Sequence, residues 1–176
     1  MEHEYEHQET AQWLADYMRA GADFPDKCGV YVIGTPSGRT ASFTPSCDGN
    51  DAAKFIGAKG ATVKALGILL AYRGRKRGYT YALTSIRTDP ARKSGRILTP
   101  DPNWDAKRFA DVFDAFCAGL FGGVRVNWDG SLPLVVTVEA RVAEREREVV
   151  GGALQVVASA LAASMRGEVV VELEVR

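Results

Sequence analysis

The sequence predicts an α+β protein made of two consecutive units, each with the element order αββααβ and each a three-stranded sheet packed on helices. The first observation behind this prediction is that apolar residues recur at helix and strand spacing in the same order on both sides of residues 89–103. The second is that residues 89–103 contain three prolines and no periodicity, which is typical of a linker. The third is an offset of 94 residues that aligns much of the second unit with the first.

The first unit is predicted over residues 8–88, and the acidic residues 1–7 before it are expected to form a flexible tail. Trp13 and Tyr17 belong to an apolar set with the spacing of one helix face. Residues 34–38 contain two glycines and a proline, which predict the turn of a β-hairpin. The predicted elements are a helix at 9–20, strands at 30–33 and 40–44, helices at 50–56 and 61–72, and a strand at 79–86.

The second unit is predicted over residues 104–176 and repeats this order. Its predicted elements are a helix at 105–121, strands at 124–128 and 134–140 around the turn Asp129-Gly130-Ser131, helical sequence at 144–165, and a strand at 168–175. The offset of 94 places Gly57 on Gly151. Two interpretations are open: a tandem duplication, or two unrelated halves whose patterns match by chance. Agreement of both order and spacing favours the duplication.

Positive charge is concentrated in one part of the chain. The formal net charge of the whole chain is +0, but residues 54–96 hold eleven bases and one acid, the aspartate at 89. A field of one sign on this scale steers polyanions to one face of a protein. The alternative is a solvated basic surface that the acidic flanking segments balance in three dimensions.

The turn at residues 57–60, Gly57-Ala58-Lys59-Gly60, lies between two predicted helices within this basic segment. Glycine has no Cβ, so the backbone can come into contact with a phosphate, and the N-terminus of the following helix favours an anion. Lys59 adds a mobile charge, and Lys54 and Lys64 flank the turn. The alternative is a helix-connecting turn whose glycines are only structural.

The wider pattern runs Phe55-Ile56-Gly57-Ala58-Lys59-Gly60-Ala61-Thr62-Val63-Lys64-Ala65-Leu66. It resembles the K-homology (KH) signature Ile-Gly-x-x-Gly-x-x-Ile-Lys-x-Leu, and the order αββααβ resembles the type II, bacterial form of that fold. Within that family the chain is most similar to the small RNA-binding KH proteins of the KhpA type, over residues 8–87. The resemblance implies a clamp for about four nucleotides of single-stranded RNA. The bases of the RNA would lie in an apolar groove, whose candidate lining residues are Ile56, Val63 and Leu66.

The second unit departs from this pattern where phosphate would bind. At the offset of 94, Lys54 is replaced by Glu148, Lys59 by Ala153, Gly60 by Leu154 and Lys64 by Ala158. We therefore expect a degenerate KH fold kept for packing, dimerisation or contact with a partner. If so, residues 1–88 alone should bind RNA and residues 100–176 should not.

A second basic group, Arg73, Arg75, Lys76 and Arg77, follows the second of these helices and is named here the basic cluster. It predicts either a loop that contacts RNA or a solvated connection between helix and strand.

No catalytic, metal or cofactor site is predicted. The two histidines, His3 and His7, lie in the expected tail, so a histidine-dependent triad or multi-histidine metal site in the folded part is excluded. The three cysteines form no CxxC pair, which favours a reducing cytoplasm. No apolar run reaches the roughly 18 residues of a membrane span, so no membrane partner is expected.

The sequence thus predicts a cytoplasmic protein that binds single-stranded RNA and has no enzymatic activity. The resemblance implies a role as an RNA chaperone or post-transcriptional regulator, and pairing with another KH protein or with a second copy. Two alternatives stay open: a binder of single-stranded DNA, and a protein-interaction adaptor in which both KH folds are structural.

Overall fold

The computed structural model of the chain describes residues 2–89, 99–122, 124–128 and 134–175. The first unit contains α1 (Glu2–Gly21), β1 (Gly29–Gly34), β2 (Thr40–Cys47), α2 (Ala52–Ile56), α3 (Ala61–Arg77), β3 (Thr80–Leu83) and β4 (Arg87–Thr88). The second contains α4 (Ala106–Phe121), β5 (Val124–Trp128), β6 (Leu134–Ala140), α5 (Arg147–Ser164) and β7 (Val169–Val175). Short 3₁₀ turns lie at Pro25–Lys27, Ala58–Gly60 and Glu144–Glu146.

Both units have a mixed sheet with the same topology, so the α+β class is confirmed. In the first, β2 pairs antiparallel with β1 and parallel with β3, and β4 continues the parallel pairing. In the second, β6 pairs antiparallel with β5 and parallel with β7. The burial of β2 and β6 alternates residue by residue, because one face of each sheet is covered by helices. The turn predicted at 129–131 and residues 90–98 of the predicted linker lie outside the described residues.

The prediction of a flexible tail at residues 1–7 is wrong, because α1 already begins at Glu2. Its first turns pack against β3: His7 is buried, and its Nδ1 lies 3.0 Å from the Tyr81 hydroxyl in a hydrogen bond. His3 makes the same contact with Tyr79, also at 3.0 Å. These tertiary contacts extend the helix beyond the part that its apolar pattern predicted.

The second unit has one long helix where αα was predicted. Gly151 and Gly152 lie inside α5, and neither has a positive φ. Leu154, at the position of Gly60, is fully buried in that helix. A leucine is strained in a left-handed turn and gains free energy from burial, so the helix continues instead of breaking.

The helices of the two units face one another, and the sheets lie on the outside. The buried apolar residues of both units form one hydrophobic cluster. Trp13 stacks on Phe116 with ring centroids 4.6 Å apart, and its indole nitrogen donates to the Phe116 carbonyl at 2.9 Å. The Tyr17 hydroxyl donates to the Val157 carbonyl at 3.0 Å. Residues 1–88 alone would expose this apolar surface to water. The shared core therefore argues against the expectation that residues 1–88 bind RNA as a separate folded half.

The contacts between the units are roughly reciprocal, as expected where two units of the same topology are related by an approximate twofold axis. Trp13 of α1 meets Phe116 near the end of α4, and Arg108 near the start of α4 donates to the Ala20 carbonyl near the end of α1 at 3.0 Å. Helices α3 and α5 pack antiparallel, since Arg75 near the end of α3 pairs with Glu146 just before α5.

The run Ala52–Arg77 is the one stretch in the described part of the chain whose length and hydropathy, 1.3 at its most apolar, would allow a membrane span. The turn at 57–60 breaks that run, and Leu66, Leu69 and Leu70 of α3 are buried in the core. The cytoplasmic location and the lack of a membrane partner stay predictions.

The packing of Trp13 on α4 predicts opposite effects for two helical glycines. A Cβ on Gly119 would overlap the Trp13 ring, whereas a Cβ on Gly152 of α5 meets nothing within 4 Å. We expect Gly119→Ala to lower the free energy of unfolding by about 1–3 kcal/mol, and Gly152→Ala to raise it by up to about 1 kcal/mol. Urea denaturation measures both. Equal stabilisation by the two alanines would contradict the packing of the units.

Candidate nucleic-acid interface

The turn at residues 57–60 has the left-handed backbone that the glycine pattern predicts. Helix α2 ends at Ile56, and Gly57 follows with φ 74° and ψ 171°. Lys59 has φ 53° and ψ 27°, and Gly60 has φ 76° and ψ 16°. Helix α3 then begins at Ala61. A non-glycine residue held at positive φ is uncommon and marks strain of the kind that clusters at functional sites.

The two glycines are needed for different reasons. The dihedrals of Gly57 lie in a region that only glycine adopts readily, and a Cβ there would also collide with the side chain and backbone nitrogen of Thr62. At Gly60 a Cβ would meet only Val63 Cγ1, at 3.8 Å, so its requirement is conformational.

Positive charge surrounds the start of α3. Ala58, Lys59 and Lys64 are exposed, and within the described residues neither lysine forms an ion pair. No side chain caps the N-terminus of α3, a helix of 17 residues. The first N–H groups of a helix have no partner within it and form the positive end of its dipole. The amides of Gly60 and Ala61 already donate to the Gly57 and Ala58 carbonyls. The turn therefore offers an anion two free ammonium groups and the other first-turn amides of α3.

Lys54 was predicted to join this site, and the structure corrects that prediction. Its side chain is 18 % exposed, and its ammonium group lies 3.0 Å from Asp23 and 3.1 Å from the fully buried Asp51. It also donates to the Gly21 carbonyl at 3.2 Å. Three partners occupy its three donors, so Lys54 fixes α2 to the end of α1 and has no charge left for a phosphate.

The three predicted apolar lining residues differ in access. Ile56 is 38 % exposed beside the turn and Val63 is partly exposed. Leu66 is buried in the shared core. Ile56 and Val63 can therefore contact a ligand, and the assignment of Leu66 to a binding groove is wrong.

The basic cluster is part of α3 and not a loop, and Arg73 is buried within it at 2 % exposure. Its Nε donates to the Thr10 hydroxyl at 2.9 Å and its Nη1 to the Gly119 carbonyl. Glu6 and Glu9 pair with it at 3.5 and 3.6 Å. Burial, and secondarily the charge of Arg77, lowers the pKa of Arg73. The prediction that Arg73 contacts RNA is wrong.

The other members of the basic cluster also have partners inside the protein. Arg77 pairs with Glu6 at 3.1 Å, Arg75 with Glu146 at 2.7 Å, and Lys76 donates to the Arg141 carbonyl at 3.5 Å. The acidic flanking segments thus balance this end of α3. A helix of this length spans about 25 Å, which separates the basic cluster from the turn.

His3 and His7 lie in the folded helix α1 and line a further cavity with Glu4 and Gln8, so the exclusion of histidine chemistry on the ground of a flexible tail is wrong. All three cysteines are buried, and burial raises the pKa of each thiol, that of Cys47 to about 12. In the ranges that the structure describes, no group of His, Cys, Asp and Glu is arranged to hold a metal ion.

A cavity of about 330 Å³ lies beside the turn and was not predicted. Its lining consists of Ala53, Lys54, Gly57 and Thr62 from the first unit and Ala160, Ala163 and Ser164 from α5. Sequence reasoning missed it because three of its seven lining residues come from a unit that was treated as a separate domain. We name it the loop cavity.

No protein-family model matches the chain, and the comparison with curated proteins found no match. The assignment of function therefore rests on the residues and geometry described above.

The backbone of the turn predicts unequal effects of two alanine substitutions. Gly60→Ala places a Cβ at a left-handed position with open space and should cost about 1–2 kcal/mol. Gly57→Ala should cost more, because its Cβ also collides with Thr62. Chemical denaturation of both variants measures the difference. Equal losses, or none at Gly57, would show that the turn does not have this conformation.

Proposed function

We propose that this protein binds single-stranded RNA at the turn formed by residues 57–60, and that its two units are tandem KH-like domains of type II. The observation that carries the proposal is the conformation of the turn. Gly57, Lys59 and Gly60 have positive φ, and the Lys59 side chain is exposed in this turn. The turn leads directly into α3, a helix of 17 residues whose N-terminus is not capped by a side chain. Backbone donors and mobile ammonium groups at one point are what the phosphates of a flexible strand require.

A single strand fits this arrangement better than a duplex. The free charge at the turn is two lysines on one short segment, whereas the basic cluster at the other end of α3 is paired within the protein. A clamp of this kind holds about four nucleotides of backbone. The exposed apolar atoms of Ile56 and Val63 lie next to the phosphate site and offer contact to unstacked bases.

The second unit does not share this role in the proposal. Leu154 is buried where the turn would need its second glycine, and α5 passes through the position without a break. Exposed Glu144 and Glu148 would repel phosphate there. The unit instead completes the hydrophobic core on which α3 packs. Pairing with a further KH protein or a second copy stays a prediction.

The double variant Ala58→Asp/Lys59→Asp tests the proposal. Both side chains are exposed, and aspartate tolerates the left-handed conformation at position 59, so the fold should persist. We expect affinity for single-stranded RNA to fall at least about tenfold, or roughly 1.4 kcal/mol. The reason is that attraction to phosphate becomes repulsion. Fluorescence anisotropy with a labelled oligonucleotide measures the loss.

The matched control is Ala118→Asp/Arg145→Asp, which changes the net charge equally at exposed positions near the far end of α3. It should bind RNA within about twofold of the unchanged protein. The proposal would be overturned if Ala58→Asp/Lys59→Asp bound RNA as tightly as the unchanged protein. It would also be overturned if both double variants lost the same amount of RNA affinity. A DNA strand of the same sequence, titrated in parallel, tests the alternative ligand, because phosphate contacts alone do not read the 2′-OH.

A further inference from the structure

We propose that the loop cavity receives one nucleobase of the strand whose phosphate lies on the turn, so that the second unit supplies part of the binding site. This inference rests on the proposed function. Gly57 belongs both to the turn and to the cavity lining, so the phosphate site and the cavity adjoin. A strand held at the turn would therefore have a base within reach of the opening.

The space in the cavity comes from small residues on α5. Ala160, Ala163 and Ser164 correspond, at the offset of 94, to Leu66, Leu69 and Leu70 of the first unit. Those three leucines belong to α3 and are buried in the core, whereas their counterparts on α5 leave about 330 Å³ open next to the turn. That volume is at the lower end of the range for small-molecule sites and suits one base better than a stack of bases.

One polar side chain in the wall has no partner. Thr62 is 5 % exposed and lines the cavity, and its hydroxyl makes no hydrogen bond with any described residue. The described atoms that are fully enclosed and unpaired do not include this oxygen, so it is accessible from the cavity that Thr62 lines and is free to bond a ligand group there. Ser164 donates its hydroxyl to the Leu161 carbonyl at 2.6 Å, which leaves its oxygen free to accept from a base.

The wall of the loop cavity favours an uncharged ligand group, because the one cationic side chain among its described lining residues is already paired. Lys54 lines the cavity but is paired with Asp23 and Asp51 at 3.0 and 3.1 Å. No uncompensated cation therefore lies in the described wall, in contrast to the turn with Lys59 and Lys64. The phosphate belongs at the turn, and the uncharged base with its donors and acceptors belongs in the cavity.

The test compares RNA strands of about eight nucleotides with and without bases. Oligouridylate, oligoadenylate and an abasic strand of the same length are titrated against the full chain. We expect the better of the two homopolymers to bind about tenfold tighter than the abasic strand. Ala163→Leu, an exposed position in the last turn of α5, should remove most of this preference, keep the part that Ile56 and Val63 contribute, and leave abasic binding unchanged.

Two further variants complete the test. Ala118→Leu makes the same change on an exposed face of α4 and should keep the preference. Thr62→Val keeps the shape of the side chain but removes its hydroxyl, and should weaken binding of the better homopolymer more than binding of the abasic strand. Urea midpoints within error of the unchanged protein show that each variant is folded.

The outcomes separate the two proposals. If the unchanged protein binds all three strands equally, or if Ala163→Leu and Thr62→Val both keep the preference, the base site is wrong while RNA binding at the turn stands. If the unchanged protein binds none of the strands, the proposed function fails and the base site fails with it.

Discussion

Helices α3 and α5 pack antiparallel between the two sheets, and most features of the molecule depend on this contact. At one end it brings Glu146 to Arg75 and the Arg141 carbonyl to Tyr72. At the other it brings Ser164 and Ala163 next to the turn at residues 57–60. The antiparallel arrangement therefore pairs Arg75 at the C-terminal end of α3, while Glu6 and Glu9 of α1 pair with Arg73 and Arg77 there, and it leaves the N-terminal end of α3 positive and open. One packing geometry sets both the position and the sign of the candidate site.

The difference between the two units is decided by a few residues in an otherwise shared topology. Gly57 and Gly60 allow the chain to leave the helical conformation and re-enter it, so that α3 has a free N-terminus. In the second unit Leu154 is buried instead, and α5 runs on without a break. Helix and sheet are retained in both units because they depend on apolar periodicity, which such substitutions leave intact. The left-handed turn is absent from the second unit because it depends on backbone conformation at specific positions.

Much of the fold could be predicted from the sequence, because strand alternation and helix periodicity are local properties. Both hairpins, the order of elements in the first unit and the turn at 57–60 were predicted in this way. The N-terminal extension of α1 could not be, since it depends on contacts between His7 and Tyr81, which lie 74 residues apart. Nor could the burial of Arg73: its partners Glu6 and Gly119 lie on α1 and α4. The loop cavity was hidden for the same reason, because its wall combines residues from both units.

The most direct test of the claim that nucleic acid binds at the N-terminal end of α3 is an NMR titration. The chemical shifts of the backbone amides are recorded in the ¹⁵N-labelled full chain while a short single-stranded RNA is added. The account predicts that the chemical-shift changes concentrate in residues 56–64, at the turn and the start of α3, and in residues 160–164, at the end of α5. Arg75 and Lys76 should show little change, because their partners lie within the protein. Shifts centred on these two residues or on the outer faces of the sheets, or no shifts at all, would contradict it.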